Sequence, residues 1–328
     1  MADLETELEP EVEIACDACG GIEADEVASA AELASQADHA RRFHRARLAR
    51  RSRTALEERA NFTHDYATRL LACRACDLVY RSPRPDADAV LRAYEGERYA
   101  RERLPQMIAS QRALFLPRTR ALARALGRGA RVLEVGSFVG GFLREARDAG
   151  LECVGLDPSE QLVELCLREG LHVLPETLEE FTTRRTLPRY DAIAIWSTFD
   201  QLPKPRAALT AALRVLRPGG LLLLRFPHGV CYARLIAERA RFVRTLAWNN
   251  LLGFPYLHGY GVRSLDRLAG SFGLTRTRVV GDTLGTMADH HYRLWARWEE
   301  RIVKVAERRK CRSDLGLAPW LDVQLTLH

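Results

Sequence analysis

The sequence predicts an α/β protein built on a doubly wound, mainly parallel seven-stranded sheet, with a small cysteine-rich module at its N-terminal end. Three observations carry this. After Gly127-Arg128-Gly129, short apolar runs alternate with helical stretches, the pattern of βαβ units. The segment VLEVGSFVGGFL, Val132 to Leu143, sets a buried strand against a glycine turn and a helix start. Two CxxC pairs, Cys16/Cys19 and Cys73/Cys76, bracket a stretch with few long apolar runs.

A chain of 328 residues with 47% hydrophobic content can bury one large core and a smaller satellite module beside it. The acidic start MADLETELEPEVE carries no basic leader or apolar segment, and runs such as Leu221 to Leu224 are far shorter than a membrane span. A soluble, cytoplasmic protein without a membrane partner is therefore expected. The net charge of +6 traces to arginine-rich helices rather than one patch, so charge alone does not indicate a nucleic-acid enzyme.

Residues 1–85 are read as a zinc-ribbon-like module with a helical insertion. Four paired thiolates can surround one zinc ion tetrahedrally, each CxxC forming a tight knuckle, and the long insert between the pairs must fold back to close the site. The competing reading is a set of unliganded core cysteines. Cys153, Cys166, Cys231 and Cys311 stand singly in apolar or helical contexts and are read as core or surface thiols. Within the insert, Ala24 to Glu58 reads as helix and includes the basic run Arg41 to Arg53. Guanidinium groups there can pair with phosphate, but aromatic interleaving is limited to Phe43, so a solvated helix face is preferred and nucleic acid is not favoured as a partner.

Pro83 and Pro85 mark the exit from the module, residues 86–111 form a linker and covering helix, and residues 112–328 form the main domain. Leu91, Tyr94, Leu114 and Leu122 are expected packing positions in the helical stretch Asp86 to Leu126. Strands are expected at Arg131 to Val135, Cys153 to Leu156, His172 to Leu174, Ala192 to Trp196, Leu221 to Phe226, Arg276 to Gly281 and Trp320 to Leu327. A helix from about Asp289 to Arg309 places Leu294, Trp298, Ile302 and Val305 on one apolar face, expected to pack on the domain. His290 and His291 read as surface or helix-start histidines.

In the glycine turn, Gly136 and Gly140 remove β-carbons that would hold a ligand away from the backbone, and the helix start supplies free N–H groups. Asp157 follows one βα unit later in CVGLDPS, where a carboxylate can accept hydrogen bonds from both ribose hydroxyls. A plain tight turn and a helix N-cap are the alternative. The turn by itself does not separate a pyrophosphate from a methionine carboxylate.

The run YDAIAIWSTFDQLPKPRAALTAALRVLRPGGLLLLRFP, Tyr190 to Pro227, resembles class I S-adenosylmethionine-dependent methyltransferases, in the aromatic-Asp pair Tyr190-Asp191 and the turn Arg217 to Gly220. CDACGG, CRACDLVYRSPRP and the helix with Tyr94 and Tyr99 resemble the zinc-ribbon-bearing branch, which includes sugar C-methyltransferase-like and small-molecule methyltransferases; Ala318-Pro319-Trp320 resembles its closing strand. The resemblance implies a Rossmann-like sheet, S-adenosylmethionine and zinc as cofactors, and a small-molecule or sugar-nucleotide acceptor methylated at carbon, oxygen or nitrogen. It implies cofactor binding by Glu134, Gly136, Ser137 and Gly140, by Asp157 at the ribose, by Leu178 after Thr177 near the adenine, and by Trp196 at a strand end. The chain departs from the pattern at Ser137 and Phe138, where smaller residues are common, and at Phe199-Asp200, where many relatives show a Glu-His pair.

Methyl transfer from a sulfonium needs a protein base only for a weakly acidic nucleophile. Such a base is expected after the fourth and fifth strands, among Asp200, His228, Tyr256, His258 and Tyr260, with His228, His258 and Tyr256 foremost. A neutral imidazole at His228 can take a proton. FPYLHGYG suits either a substrate loop or a packed aromatic turn. The rival function is a non-catalytic zinc-ribbon and methyltransferase scaffold that binds RNA or a protein partner; a nicotinamide oxidoreductase is the intermediate case.

Overall fold

A computed structural model describes residues 14–49, 66–96, 99–237, 243–252, 256–288 and 290–328. Strand β1 (Ala24–Ala28) pairs antiparallel with β2 (Arg69–Cys73), which pairs with β3 (Val79–Ser82). Residues 24–28 are thus strand rather than the expected start of the helix. The helix Ala30–Arg47 begins where Ser29 and Glu32 form a capping box that satisfies its first N–H groups, while the residues before it join the β2 ladder. Arg50 to Arg53 of the basic run, and the expected helix beyond Ala49, lie outside the described residues. Phe43 is buried edge-on to Trp248 at 5.2 Å, and Arg41, Arg42 and Arg45 are exposed, as a solvated helix face requires.

The main sheet contains β4 (Arg131–Val135), β5 (Glu152–Leu156), β6 (Val173–Leu174), β7 (Tyr190–Trp196) and β8 (Leu216–Pro227). β9 (His258–Gly259) crosses back to pair with β3, so the small sheet takes its fourth strand from well beyond residue 85. β10 (Leu274–Asp282) and β11 (Trp320–Leu327) complete the large sheet, in the order β10-β11-β8-β7-β4-β5-β6. β4 to β8 run parallel and β11 antiparallel to both its neighbours. The fold is a seven-stranded, Rossmann-like α/β sheet. Its strand order reverses between β4 and β7, the switch point outside whose carboxyl ends ligands bind in such sheets.

Helices cover both faces. Phe115 and Leu122 from the helix Leu104–Leu126 and Phe142 and Ala146 from Gly141–Asp148 pack with Val132, Ala192 and Trp196. On the other face, Leu209 and Val215 from Pro205–Val215 join Ile193, Ile195, Leu222, Leu224 and Phe226, and this same core contains Cys16, Cys73, Cys76 and Tyr80. The long covering helix is clamped to the sheet edge by Arg118, which donates to Asp322 at 2.8 Å and to Asp282 at 2.6 Å. Cys166, Cys231 and Cys311 are buried and Cys153 is half-buried.

The last helix, Leu294–Ser313, reverses its expected face. Leu294, Trp298, Ile302 and Val305 are 72%, 62%, 68% and 49% exposed. Ala296, Glu300, Lys304, Glu307 and Cys311 are buried instead. The inward charges have partners that periodicity does not show. Glu300 accepts from the N–H groups of Met287 and Ala288 at 2.7 and 2.8 Å, and Lys304 donates to the Trp248 carbonyl and Asn249 Oδ1 at 2.6 and 2.7 Å. Among the described residues, no helix is long and apolar enough to cross a membrane.

Candidate active site and cysteine centre

The glycine turn sits at the switch point. Gly136 has φ +76, the left-handed region, and a β-carbon there would overlap the Thr198 side chain that follows β7. The turn is held by Gly136 and Ser137 N–H groups donating to the Leu156 carbonyl at 2.8 and 3.0 Å. Phe138 adopts φ 50 although it carries a side chain, and its ring stands edge-on to Tyr99 at 5.1 Å. Gln161 holds Tyr99 at both its N–H and its carbonyl, at 2.8 and 2.9 Å, so the segment before the covering helix is fixed beside this turn.

Two acids flank the turn. Glu134, at the end of β4, is buried with Oε2 unpartnered, and burial raises its carboxyl well above the usual range, with Asp157 adding repulsion. Asp157 accepts from the Phe138 N–H at 2.7 Å and the Ser159 N–H at 3.0 Å. Ser137 Oγ, Ser159 Oγ and Trp196 Nε1 are also buried without partners. This donor set fits S-adenosylmethionine: a buried acid lacking a counter-charge suits a cationic amino acid moiety, and an acid beside buried hydroxyls suits a ribose.

Leu178 begins the short helix Leu178–Phe181, capped by Thr177, and its side chain lies in the core. Trp196 ends β7 with its ring against Phe115 and Phe142, at 5.6 Å from each. Gly140, with φ +71, caps the helix that follows the turn.

The histidines differ in setting. His228 is buried after β8, with Nδ1 donating to the Ala318 carbonyl at 3.0 Å, which leaves Nε2 as the acceptor. Burial lowers it to about 4, so the ring is neutral near pH 7. His258 Nε2 lies 2.8 Å from Asp17 Oδ2, and Arg84 Nη1 lies 2.7 Å from each of these atoms. Tyr256 is half-buried. The Tyr256 to Tyr260 segment is tied to the turn after β7 by the Leu257 N–H donating to the Asp200 carbonyl at 3.3 Å, and to the helix start after β8 by the Gly229 N–H donating to the Tyr260 carbonyl at 2.9 Å. A β-carbon on Gly229 would overlap the Gly259 backbone.

The four paired cysteines converge. Their sulfurs lie within 4.8 Å of one another, with Cys16 to Cys76 at 3.5 Å and Cys19 to Cys73 at 3.6 Å. Tetrahedral zinc with bonds of about 2.3 Å separates its sulfurs by about 3.8 Å. Each knuckle closes on itself: the Gly20 N–H donates to the Cys16 carbonyl at 2.7 Å, and the Asp77 N–H to the Cys73 carbonyl at 2.9 Å. The His290 and His291 rings lie 3.9 Å apart, tilted by 40°. Among the described residues, the four cysteines are the group able to hold a metal.

Sequence reasoning gave Asp17 and Arg84 no role, because no local pattern links a knuckle residue to a histidine that follows it by 241 positions. The burial of Asp200 was equally invisible.

Comparison with known proteins agrees with this geometry. The profile of the methyltransferase-domain family matches residues 101–278, more than half of the chain. A ubiquinone biosynthesis O-methyltransferase of Alkalilimnicola ehrlichii is 31% identical over 130 residues, covering 36% of this chain and 52% of that protein. The chain thus spans about half the length of the curated relatives it matches. A magnesium protoporphyrin IX methyltransferase of Synechocystis PCC 6803, solved with bound S-adenosylmethionine, covers 75% of this chain and 99% of its own at 12% identity and a TM-score of 0.44. An S-adenosylmethionine-dependent methyltransferase of Thermotoga maritima covers 68% and 94% at 16% identity and a TM-score of 0.45. The chain belongs to the methyltransferase-domain family, among the class I S-adenosylmethionine-dependent methyltransferases.

Proposed function

We propose that this protein transfers a methyl group from S-adenosylmethionine to a hydroxyl of a small-molecule acceptor, and that Cys16, Cys19, Cys73 and Cys76 hold a structural zinc ion. The observation that carries the first part is Glu134: a buried carboxyl group with Oε2 unpartnered, beside a left-handed glycine turn at the switch point. S-adenosylmethionine supplies a methyl carbon already activated by a positive sulfur. Glu134 holds the cationic amino acid end, Gly136 and Gly140 let the backbone approach, and Ser137 offers a hydroxyl. Asp157 takes the ribose, the backbone at Leu178 borders the adenine, and Trp196 backs the strand end. The name of the Alkalilimnicola relative supports oxygen as the methylated atom, ahead of a sugar-nucleotide carbon.

Zinc is supported by the convergence of four sulfurs contributed by two self-closed knuckles. The reading is tested by calorimetric titration of the protein with S-adenosylhomocysteine, repeated on Asp157→Ala and with NAD as control. Micromolar binding that weakens at least tenfold in the variant is expected; NAD binding in its place would make the protein an oxidoreductase.

A further inference from the structure

The outward face of the last helix, Leu294–Ser313, is apolar and basic at once. Trp295, Trp298, Ile302 and Val305 recur at spacings of three and four and are exposed, as is Leu294 before them. An exposed apolar stripe of this kind marks a contact surface. Arg301, Arg309, Lys310 and Arg312 are exposed on the same helix, and the Arg301 guanidinium lies 5.3 Å from the centre of the Trp298 ring. The three glutamates of the helix are held from within the fold. Glu299 pairs with Arg47 and Arg244 at 2.6 and 2.9 Å, Glu300 accepts from the Met287 and Ala288 N–H groups, and Glu307 accepts from the Asn249 amide at 2.9 Å. The helix therefore turns apolar and positive side chains outward, which fits an occupant that is apolar and negatively charged.

Residues 1–13 of this chain, which lie outside the described residues, have that chemistry. MADLETELEPEVE carries six acidic residues and no basic one; every odd position from Asp3 to Glu13 is an acid, and Leu4, Leu8 and Val12 stand at even positions. We propose that this segment docks on the last helix of its own chain, with Leu4, Leu8 and Val12 on the tryptophan stripe and its carboxylates flanking it within reach of Arg301, Arg309, Lys310 and Arg312. The contact clasps the cysteine module to the last helix and does not depend on the methyl-transfer reading. Its reach is sufficient: thirteen extended residues span up to about 45 Å, against about 30 Å for the helix. The segment joins the described structure at Ile14, and its module borders the helix, where Leu48 bridges to Tyr292 and Arg47 holds Glu299. A second copy fits less well. Antiparallel pairing would set Arg309 and Arg312 of each copy against the Leu294 end of the other, whose Glu299 is already engaged, and parallel pairing would set the basic turns side by side. Exposed charge pairs add little to unfolding free energy, so the contact is read by shielding rather than by stability.

The test is acrylamide quenching of tryptophan fluorescence in the full chain, with molar mass from light scattering. Trp196, Trp248 and Trp320 are buried, so Trp295 and Trp298 are the tryptophans open to the quencher. The quenching constant is expected to rise at least twofold from wild type to Glu5→Gln/Glu7→Gln/Glu9→Gln/Glu11→Gln, and equally in wild type at about 0.5 M sodium chloride, where surface charges are screened. Glu5→Lys/Glu7→Lys/Glu9→Lys should expose the rings likewise. Combining it with Arg301→Glu/Arg309→Glu/Arg312→Glu should restore the shielding, a rescue that an unfolded variant cannot give. Each form should have the mass of one chain. Equal quenching in wild type and the glutamine variant overturns the proposal, as does failure of the doubly reversed chain to regain shielding. A wild-type dimer also overturns it, by placing a second copy on the face.

Discussion

His258 Nε2 and Asp17 Oδ2 stand 2.8 Å apart although the residues are separated by 241 positions, and Arg84 closes the triangle from the segment after β3. The contact pins the first cysteine knuckle to β9. His258→Ala removes a buried partner of Asp17 and the ring packed against Tyr260 at 5.7 Å. A loss of about 3 kcal/mol in unfolding free energy is expected from denaturant titration. A change below about 0.5 kcal/mol, the size of an ordinary surface substitution, would show that the triangle does not hold the knuckle.

Because Cys16, Cys73 and Cys76 share one core with Leu222, Leu224 and Phe226, metal loss should be felt beyond the small sheet. Elemental analysis of the purified protein is expected to find one zinc per chain, absent in Cys73→Ser. That variant should melt in a single transition at lower temperature. Two separate transitions, with the upper one unchanged, would mean that the cysteine module and the large sheet unfold independently.

His228 links stability to pH. Burial lowers its folded value to about 4 against an ordinary 6.5, so the folded state binds fewer protons than the unfolded chain between those values. Its contribution is present above pH 6.5 and is lost as the pH falls toward 4, by about 3 kcal/mol in all. His228→Gln should flatten this part of the stability curve, read by denaturant midpoints from pH 7 to pH 4. An unchanged slope would place the acid sensitivity on other groups.

The last helix offers a paired contrast. Ile302→Ser alters an exposed side chain and should shift unfolding free energy by no more than about 0.5 kcal/mol. Glu300→Ala removes a buried side chain and strips the N–H groups of the half-buried Met287 and Ala288 of their acceptor, and should cost about 2 kcal/mol. The opposite ranking in thermal or chemical unfolding would mean that the apolar stripe is the packed face after all.

What the sequence by itself determined is local. The glycine turn from Gly136 to Gly140, the acid one βα unit later, the paired cysteine knuckles and the strand segments of the large sheet follow from residue type and short spacing, and the structure has β4 and β11 at their expected limits. β8 begins earlier, at Leu216, since Leu216 still faces Tyr190 across an irregularity in the pairing. Tertiary structure decided everything that needs a distant partner. Periodicity marked Trp298 and Ile302 as a core face, yet the burial of Glu300 and Lys304 was chosen by acceptors and donors on other segments, Met287, Ala288, Trp248 and Asn249. Likewise β9 completes the small sheet, and Asp200 is buried in the turn after β7. Hydrogen bonds and desolvation depend on which groups meet in space, and spacing along the chain carries that information only when the partners lie within a turn or two of each other.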